Sequence, residues 1–243
     1  MAQLTDAERA ARVLAALARE AGSPEHASEL ERLSERARAG RFYVAVVGQF
    51  KRGKSTLINA LLGRDLLPAG VAPVTSVVTV VRWGPGPRAT VYPRHADPRE
   101  IAVTGLRDYV TEEGNPGNAR AVRAVEIEWP VELLRTGLCL VDTPGVGSVL
   151  AANARETQAF LPHIDAALLV LGADPPITAD ELALGRELAA QRIPLVVVVN
   201  KADIVSPTDL DAAVAFTRRV LVERMRLEPL ILTAAARWAR ERR

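Results

Sequence analysis

The sequence has little of what would place it in a secreted, membrane-spanning or disulfide-stabilised class. Its 243 residues include one cysteine and only 4% aromatic residues. The single thiol, Cys139, excludes an intramolecular disulfide and favours a reducing cytosol. The longest apolar runs, 166–171 and 193–199, fall well short of the about 20 residues that a membrane-spanning helix needs. The N-terminus carries acidic residues early and no apolar segment, so a secretory signal is not predicted.

Charge of one sign is also lacking. The chain has 31 basic and 29 acidic residues and a net charge of +2, which is too balanced for a nucleic-acid-binding surface, so no nucleic-acid partner is predicted. The numbers of lysine and arginine are more informative than the net charge, because nearly all basic residues are arginine. Lysine occurs only at Lys51, Lys54 and Lys201. All three fall in the short motifs described below.

Two architectures follow one another along the chain. Residues 4–38 predict two helices, the first opened by the capping-box spacing of Thr5 and Glu8 and the second by Ser23 followed by Pro24. We therefore expect an N-terminal helical arm over residues 1–40. The main domain is predicted over 41–243, with an insertion of strands and helices at about 84–130.

Short, continuously apolar segments separated by helical patterns define the fold class of the main domain. Such runs predict a doubly wound α/β fold, with a mostly parallel sheet covered by helices on both faces. The buried strands are predicted at 42–47, 138–141, 166–171, 195–199 and 230–232. Three more exposed strands are predicted at 76–83, 88–92 and 122–129.

A glycine-rich loop follows the first buried strand and opens a helix. Residues 48–55 read GQFKRGKS and fit the phosphate-loop pattern, in which backbone N–H groups surround phosphate oxygens. Lys54 is predicted to reach the β and γ phosphates, and Ser55 to give its hydroxyl to Mg²⁺. The alternative is a glycine-rich turn without a ligand. The predicted phosphate contacts are Gly48, Gln49, Phe50, Lys51, Arg52, Gly53, Lys54, Ser55 and Thr56.

Two further positions complete a predicted metal and phosphate site. Asp142 ends the strand at 138–141 and is predicted to hold Mg²⁺, while the N–H of Gly145 senses the γ phosphate. Thr75 is the predicted switch residue, with its hydroxyl on Mg²⁺ and its carbonyl on the attacking water. Ser76 and Thr79 are the alternatives to Thr75. The predicted metal ligands are thus Ser55, Thr75 and Asp142, and the predicted catalytic residues are Lys51, Lys54, Thr75 and Gly145.

Guanine selection is predicted at the end of the strand at 195–199. There the sequence reads Asn200, Lys201, Ala202, Asp203. A carboxylate at 203 accepts hydrogen bonds from the guanine N1–H and N2–H₂ but meets only an acceptor at adenine N1. Lys201 is predicted to lie along the base. In the segment 233–235, a backbone amide is expected to cap the guanine O6, which adds Thr233 and Ala234 to the nucleotide site.

The order of these motifs resembles that of translation-factor-class GTPases, and the residues within them resemble those of bacterial dynamin-like proteins. The segments that carry the resemblance are 47–63, 67–70, 106–118 and 142–148. It implies a GTPase domain that dimerises across its nucleotide face and remodels membranes through a long helical stalk. Only 234–243 follow Thr233, so we expect an excised GTPase domain, with a short relative lacking the membrane machinery as the alternative. Membrane contact, at the inner membrane face, is then expected only through regions outside this chain.

The glutamine that orients the attacking water in Ras-type GTPases is missing from this sequence. Ras-type GTPases orient water with a glutamine directly after the D-x-x-G turn, and here that position is Val146. At the position of Lys51, guanylate-binding proteins and atlastins carry a finger arginine and dynamins a serine or asparagine. We hypothesise that the Lys51 ammonium supplies charge near the β–γ bridge, so that hydrolysis needs no potassium. A surface or dimer-contact role for Lys51 is the alternative, and Arg52 is the neighbouring candidate.

The sequence therefore predicts Mg²⁺-dependent hydrolysis of GTP to GDP and phosphate, activated by nucleotide-dependent homodimerisation and serving membrane remodelling in a longer protein. Two alternatives stand beside it. One is a GTP-binding switch or scaffold of low activity, which the absence of glutamine at position 146 favours. The other is an assembly-type GTPase with no membrane role.

Overall fold

The computed structural model describes residues 40–70, 75–145 and 163–241, together with the single positions 16, 19 and 160. The predicted helical arm over 1–40, apart from positions 16, 19 and 40, lies outside the described residues, and so does Val146. Within the described part of the chain, no helix combines the length and the apolar character needed to cross a membrane.

The architecture is a nine-stranded sheet with helices on both faces, which confirms the predicted α/β class. The strands lie in the order β4-β3-β5-β2-β6-β1-β7-β8-β9. They are β1 (Phe42–Val47), β2 (Val78–Trp83), β3 (Arg88–Pro93), β4 (Arg99–Ile101), β5 (Val122–Trp129), β6 (Leu138–Asp142), β7 (Ala166–Gly172), β8 (Leu195–Asn200) and β9 (Leu230–Thr233). The helices are α1 (Lys54–Leu62), α2 (Arg107–Val110), α3 (Ala179–Ala190), α4 (Pro207–Met225) and α5 (Ala236–Glu241).

Burial on both faces explains why the central strands read as continuous apolar runs. Successive side chains of a strand point to opposite faces, so Val46 packs with Ile58 of α1. Its neighbour Val47 packs on the other face with Leu188 of α3 and Leu221 of α4. All five side chains are fully buried. A polar residue at either strand position would therefore lose its hydration without a partner.

The prediction that the strand at 76–83 is exposed is wrong. β2 pairs with β5 on one side and antiparallel with β6 on the other, and Val78, Val80 and Val81 are buried. It is an interior strand because β3, β4 and β5 extend the same sheet beyond it. The sequence could not reveal this position, since it depends on which strands pair rather than on the run itself.

The topology brings the predicted motifs to one edge of the sheet. β6, β1, β7, β8 and β9 run parallel in that order, so their carboxyl ends meet at the same edge. The glycine-rich loop follows β1, the Asp142 turn closes β6, and the residues predicted to read guanine follow β8. Ligands of open α/β sheets bind in the crevice at this edge.

Candidate functional site

The glycine-rich loop is shaped by two glycines that no other residue could replace. Gly48 has φ of +143°, and a Cβ there would come within 2.3 Å of the Val170 carbonyl oxygen. Gly53 has φ of +86°, and a Cβ there would come within 2.6 Å of Asn200 Nδ2. The loop thus approaches the neighbouring strands closely before α1 begins. This close approach leaves the N-terminus of α1 directed at the cradle, where its partial positive charge favours an anion.

Lys54 lies buried under the loop. Its Nζ donates hydrogen bonds to the carbonyl oxygens of Gly48 and Gln49, each at 3.1 Å. Burial lowers the pKa of Lys54 to about 8, although the charges of Asp142 and Glu181 oppose this shift. The ammonium is therefore held by two neutral carbonyls in a site that disfavours its charge. An anion in the cradle would favour the charged form again, as the predicted phosphate role of Lys54 requires.

The three predicted metal ligands lie together. Ser55 Oγ donates to Asp142 Oδ2 at 2.7 Å, and Thr75 Oγ1 donates to the same oxygen at 3.1 Å. The two hydroxyl oxygens are 3.3 Å apart. The alternatives to Thr75 are used elsewhere, because the hydroxyl of Ser76 donates to Val110 and that of Thr79 to Val77. Of these three candidates, Thr75 is the one bonded to Asp142.

Asp142 has unused capacity for a cation. The residue is 2% exposed, and burial raises the pKa of its carboxyl, while the Ser55 hydrogen bond and the Lys54 charge oppose the rise. Its Oδ1 is buried without a hydrogen-bond partner among the described residues. A buried carboxylate oxygen without a partner is costly, and hard oxygen donors are the ligands that Mg²⁺ takes. The donor set of Ser55, Thr75 and Asp142 therefore fits this ion.

The turn after Asp142 is fixed against the loop. Thr143 Oγ1 donates to the Val46 carbonyl at 2.9 Å. A Cβ on Gly145 would lie 2.7 Å from Phe50 N, so the turn and the loop are in backbone contact. Gly145 thus borders the phosphate cradle, as predicted. Its amide role toward a γ phosphate stays a prediction.

Arg52 does not face the predicted phosphate site. It is buried and forms a two-pronged ion pair with Glu181, with Nε–Oε1 at 2.7 Å and Nη2–Oε2 at 3.0 Å, while Nη1 donates to the Pro175 carbonyl. The Arg52 guanidinium is therefore engaged by Glu181 and Pro175, which speaks against a finger role for this side chain, while a phosphate contact through the Arg52 backbone N–H stays a prediction. Sequence reasoning missed Glu181, a fully buried carboxylate. Its signal was the capping box that it forms with Thr178 at the start of α3.

The side chains of Lys51 and Gln49 have other contacts, while the predicted phosphate contacts of their backbone N–H groups stay predictions. The Lys51 side chain is exposed, its backbone has φ of +66°, and its Nζ lies 5.3 Å from the centroid of the Phe50 ring. The side-chain amide of Gln49 donates to Asp180 at 3.2 Å. This geometry favours the surface role of Lys51 over the hypothesis of an internal finger.

Asn200 is a brace between three segments. Its Nδ2 donates to the Arg52 carbonyl at 2.9 Å, and its Oδ1 accepts from the Ala236 amide at 3.2 Å. The glycine-rich loop, the end of β8 and the start of α5 are thereby joined through one buried amide. Asn200 thus supports the glycine-rich loop, and its predicted nucleotide role stays a prediction.

The residues predicted to read guanine are less buried than Lys54 and Asp142. Lys201 adopts φ of +60°, and Asp203 has an Oδ1 that is buried without a hydrogen-bond partner among the described residues, as an acceptor awaiting a donor would be. The Ala234 amide already donates to the Val199 carbonyl at 2.9 Å. That amide extends the pairing of β8 and β9, so a capping amide for the guanine O6 would come from another residue of 233–235, and the predicted nucleotide contacts of Thr233 and Ala234 stay predictions. Thr233 ends β9 with an exposed side chain.

A phosphate loop at the end of β1, a Ser, Thr and Asp cluster beside it and an Asn-Lys-x-Asp sequence at the end of β8 define the class of P-loop GTPase domains. The sequence model of the dynamin family matches residues 44–202, and the chain belongs to that family. It is a GTPase domain of the dynamin superfamily.

The relatives include bacterial proteins of considerably greater length. One, from a Caldicellulosiruptor strain and described as an uncharacterized protein in the xynA 3′ region, is 41% identical over 78% of this chain and 47% of its own. The bacterial dynamin-like protein of Nostoc punctiforme is 28% identical over 77% of this chain and 29% of its own. A solved oligomerised bacterial dynamin pair superposes with a TM-score of 0.68 at 18% identity, covering 97% of this chain and 39% of that chain. This chain thus spans less than half the length of these relatives.

Proposed function

We propose that this domain binds GTP with Mg²⁺ and hydrolyses it to GDP and phosphate. The observation that carries the proposal is the convergence of Ser55, Thr75 and Asp142 beside the buried Lys54. Asp142 Oδ1 supplies the argument for a cation, because it is buried without a partner among the described residues. Bound Mg²⁺ would neutralise charge on the β and γ phosphoryl oxygens.

The chain's own residues would act mainly by positioning. Lys54 would exchange its two carbonyl partners for β and γ phosphate oxygens, at a point where hydrogen bonds to charged groups are strong. The Thr75 carbonyl would orient the attacking water, and the Gly145 amide would donate to the γ phosphate. Little covalent chemistry is required of the protein, since phosphoryl transfer depends on alignment and charge stabilisation.

Nucleotide choice is proposed to rest on Asp203. Its buried Oδ1, which has no hydrogen-bond partner in the described part of the chain, would accept a donor of guanine, whereas adenine presents an acceptor at N1. A site with a buried acceptor rejects a base that leaves it unpaired. GTP would thus be favoured over ATP by this oxygen.

We further propose that turnover increases on nucleotide-dependent dimerisation and that, in a longer protein, it serves work on membranes. Support comes from the bacterial dynamin-like protein of Nostoc and from the oligomerised bacterial dynamin pair, which is described as a mechanism for sensing and tethering membranes. The membrane-contacting parts would lie outside the fold described for this chain.

The test is GTP turnover per molecule across protein concentrations, in Mg²⁺ and in EDTA, with Thr75→Val beside Thr79→Val. Both substitutions remove a threonine hydroxyl and keep the volume of the side chain, but only the hydroxyl of Thr75 contacts Asp142. We expect specific activity to rise with concentration, to vanish in EDTA and to fall at least tenfold in Thr75→Val alone.

Either of two results would overturn the proposal. Equal loss in the two variants would show that the cluster has no special role. GTP binding with negligible turnover at every concentration would instead favour the GTP-binding switch of low activity.

A further inference from the structure

Thr75 is held in the metal cluster by a segment far away in sequence. An isolated antiparallel bridge joins Thr75 to Thr111. The next residue, Ser76, is fully buried, and both its backbone N–H, at 2.8 Å, and its hydroxyl, at 3.2 Å, donate to the Val110 carbonyl. The backbone of Thr75 is thus fixed on one side by residues 110 and 111.

The partner of Thr75 is itself locked in a tight turn. Thr111 is 3% exposed, and its Oγ1 donates to the Arg107 carbonyl at 2.7 Å and accepts from the Gly114 amide at 3.0 Å. A Cβ on Gly114 would come within 2.4 Å of the Arg107 carbonyl oxygen. One hydroxyl therefore closes the end of α2 onto the turn that follows it.

Asn115 closes the turn from the other side. The sequence reads as a loop tip at this point, yet Asn115 is fully buried. Its Nδ2 donates to the Tyr109 carbonyl at 2.9 Å and to Asn118 Oδ1 at 3.0 Å, and its Oδ1 accepts from the Arg120 amide at 2.9 Å. Its backbone N–H donates to the Thr111 carbonyl at 2.8 Å. A satisfied buried amide of this kind rigidifies the backbone around it.

We propose that residues 106–121, here called the bracket, hold Thr75 in position for metal binding before nucleotide arrives, with Thr111 and Asn115 as positioning residues of the reaction. The proposal rests on the function proposed above. Fixing the backbone of one residue has a large entropic cost. Because the bracket already fixes the backbone of Thr75 during folding, Mg²⁺ binding does not have to offset this cost. The Mg²⁺ concentration needed for turnover is therefore lower. We expect GTP affinity without Mg²⁺ to be unaffected, since the hydrogen bonds of the bracket described above go to Thr75, Ser76 and its own residues and not to the glycine-rich loop.

The variant test uses Thr111→Val, which keeps the side-chain volume and removes both hydroxyl contacts. Thr111→Ser is the conservative variant, and Thr217→Val is the matched control, because Thr217 is a fully buried threonine on the distant helix α4. The readouts are the Mg²⁺ concentration at half-maximal GTP turnover and GTP affinity in EDTA.

We expect Thr111→Val to raise the half-maximal Mg²⁺ concentration about tenfold, the scale set by ordering one residue, and to change GTP affinity in EDTA less than twofold. Thr111→Ser and Thr217→Val should both behave as the unsubstituted protein. A Mg²⁺ dependence in Thr111→Val equal to that in Thr217→Val would overturn the bracket.

Hydrogen exchange of the unsubstituted protein gives a second test. It needs no variant, so it applies even if Thr111→Val does not fold. The bracket predicts that the Ser76 amide is protected without nucleotide, because its hydrogen bond goes to the Val110 carbonyl and needs no ligand atom. Free exchange that slows only after GTP and Mg²⁺ are added would overturn the proposal.

Thr75→Val separates this proposal from the function on which it rests. If that variant leaves the Mg²⁺ dependence unchanged, the metal role of Thr75 fails. If it shifts the dependence and Thr111→Val does not, only the bracket fails.

Discussion

The two ends of the predicted nucleotide site differ in how deeply their charged side chains are buried. At the phosphate end, Lys54 is 7% exposed and Asp142 is 2% exposed, and both hydrogen-bond within the protein. At the base end, Lys201 and Asp203 are only partly buried. Among the described residues, each end has one buried carboxylate oxygen without a hydrogen-bond partner, on Asp142 and on Asp203. We infer that the first end supplies most of the affinity and the second the selectivity.

The largest expected effect is on folding, through the Arg52–Glu181 pair. Arg52→Ala leaves the Glu181 carboxylate buried and unpaired, so we expect the free energy of unfolding to fall by about 3–5 kcal/mol, measured by urea denaturation. Arg135→Ala is the control, because its pair with Glu132 is exposed and should contribute less than about 1 kcal/mol. Equal losses in the two variants would mean that the phosphate end is not braced in this way.

Lys54→Met is expected to have the next largest effect, on nucleotide affinity. The substitution keeps much of the buried stem and removes the ammonium, so affinity for both GTP and GDP should fall about 10- to 100-fold, the range for hydrogen bonds to charged groups. Isothermal titration calorimetry measures the change. An affinity within threefold of the unsubstituted protein would contradict the inference that the phosphate end supplies the affinity.

Asp203→Asn tests the base end. It preserves the shape of the side chain but replaces one acceptor with a donor, so GTP affinity should fall about tenfold while the weak affinity for ATP stays unchanged. Competition between the two nucleotides reports the ratio. A parallel fall for both nucleotides would show that Asp203 supports the fold of the pocket instead of selecting the base.

The smallest effect is expected for Lys51→Met. The Lys51 side chain is exposed beside Phe50, and an exposed contact of this kind contributes about 1 kcal/mol or less. We expect the GTP affinity, and the turnover per protein molecule at low protein concentration, to change less than about threefold. A loss of turnover as large as that of Thr75→Val would restore the hypothesis of an internal finger at Lys51.

The parts of the site that the sequence predicted are those set by local chemistry. Gly48, Gly53 and Lys54 lie in one continuous motif, whose strand and helix are visible as patterns of apolar residues. The metal cluster was predictable because Asp142 ends a recognisable strand at the same sheet edge. Thr75 was selected among three hydroxyl residues on its place before β2, and the structure bonds it to Asp142.

The parts that the sequence did not predict depend on partners far along the chain. No local pattern shows that the Arg52 side chain pairs with Glu181, since the two residues are far apart in sequence. The use of the Ala234 amide in pairing β9 with β8 was not predictable either, because it depends on strand register. Asn115 resembled a loop tip, since a Gly-Asn-Pro-Gly sequence predicts a turn but does not reveal that the turn is packed inside the protein.

The most direct test of the account is a Mg²⁺ titration of GTP turnover in the unsubstituted protein and in Asp142→Asn. Asparagine keeps the shape of the side chain and loses the charge beside Ser55 and Thr75. The account predicts that the variant needs at least tenfold more Mg²⁺ for half-maximal turnover while its GTP affinity in EDTA is not weakened. An identical Mg²⁺ dependence in the two proteins would contradict the assignment of this cluster as the metal site.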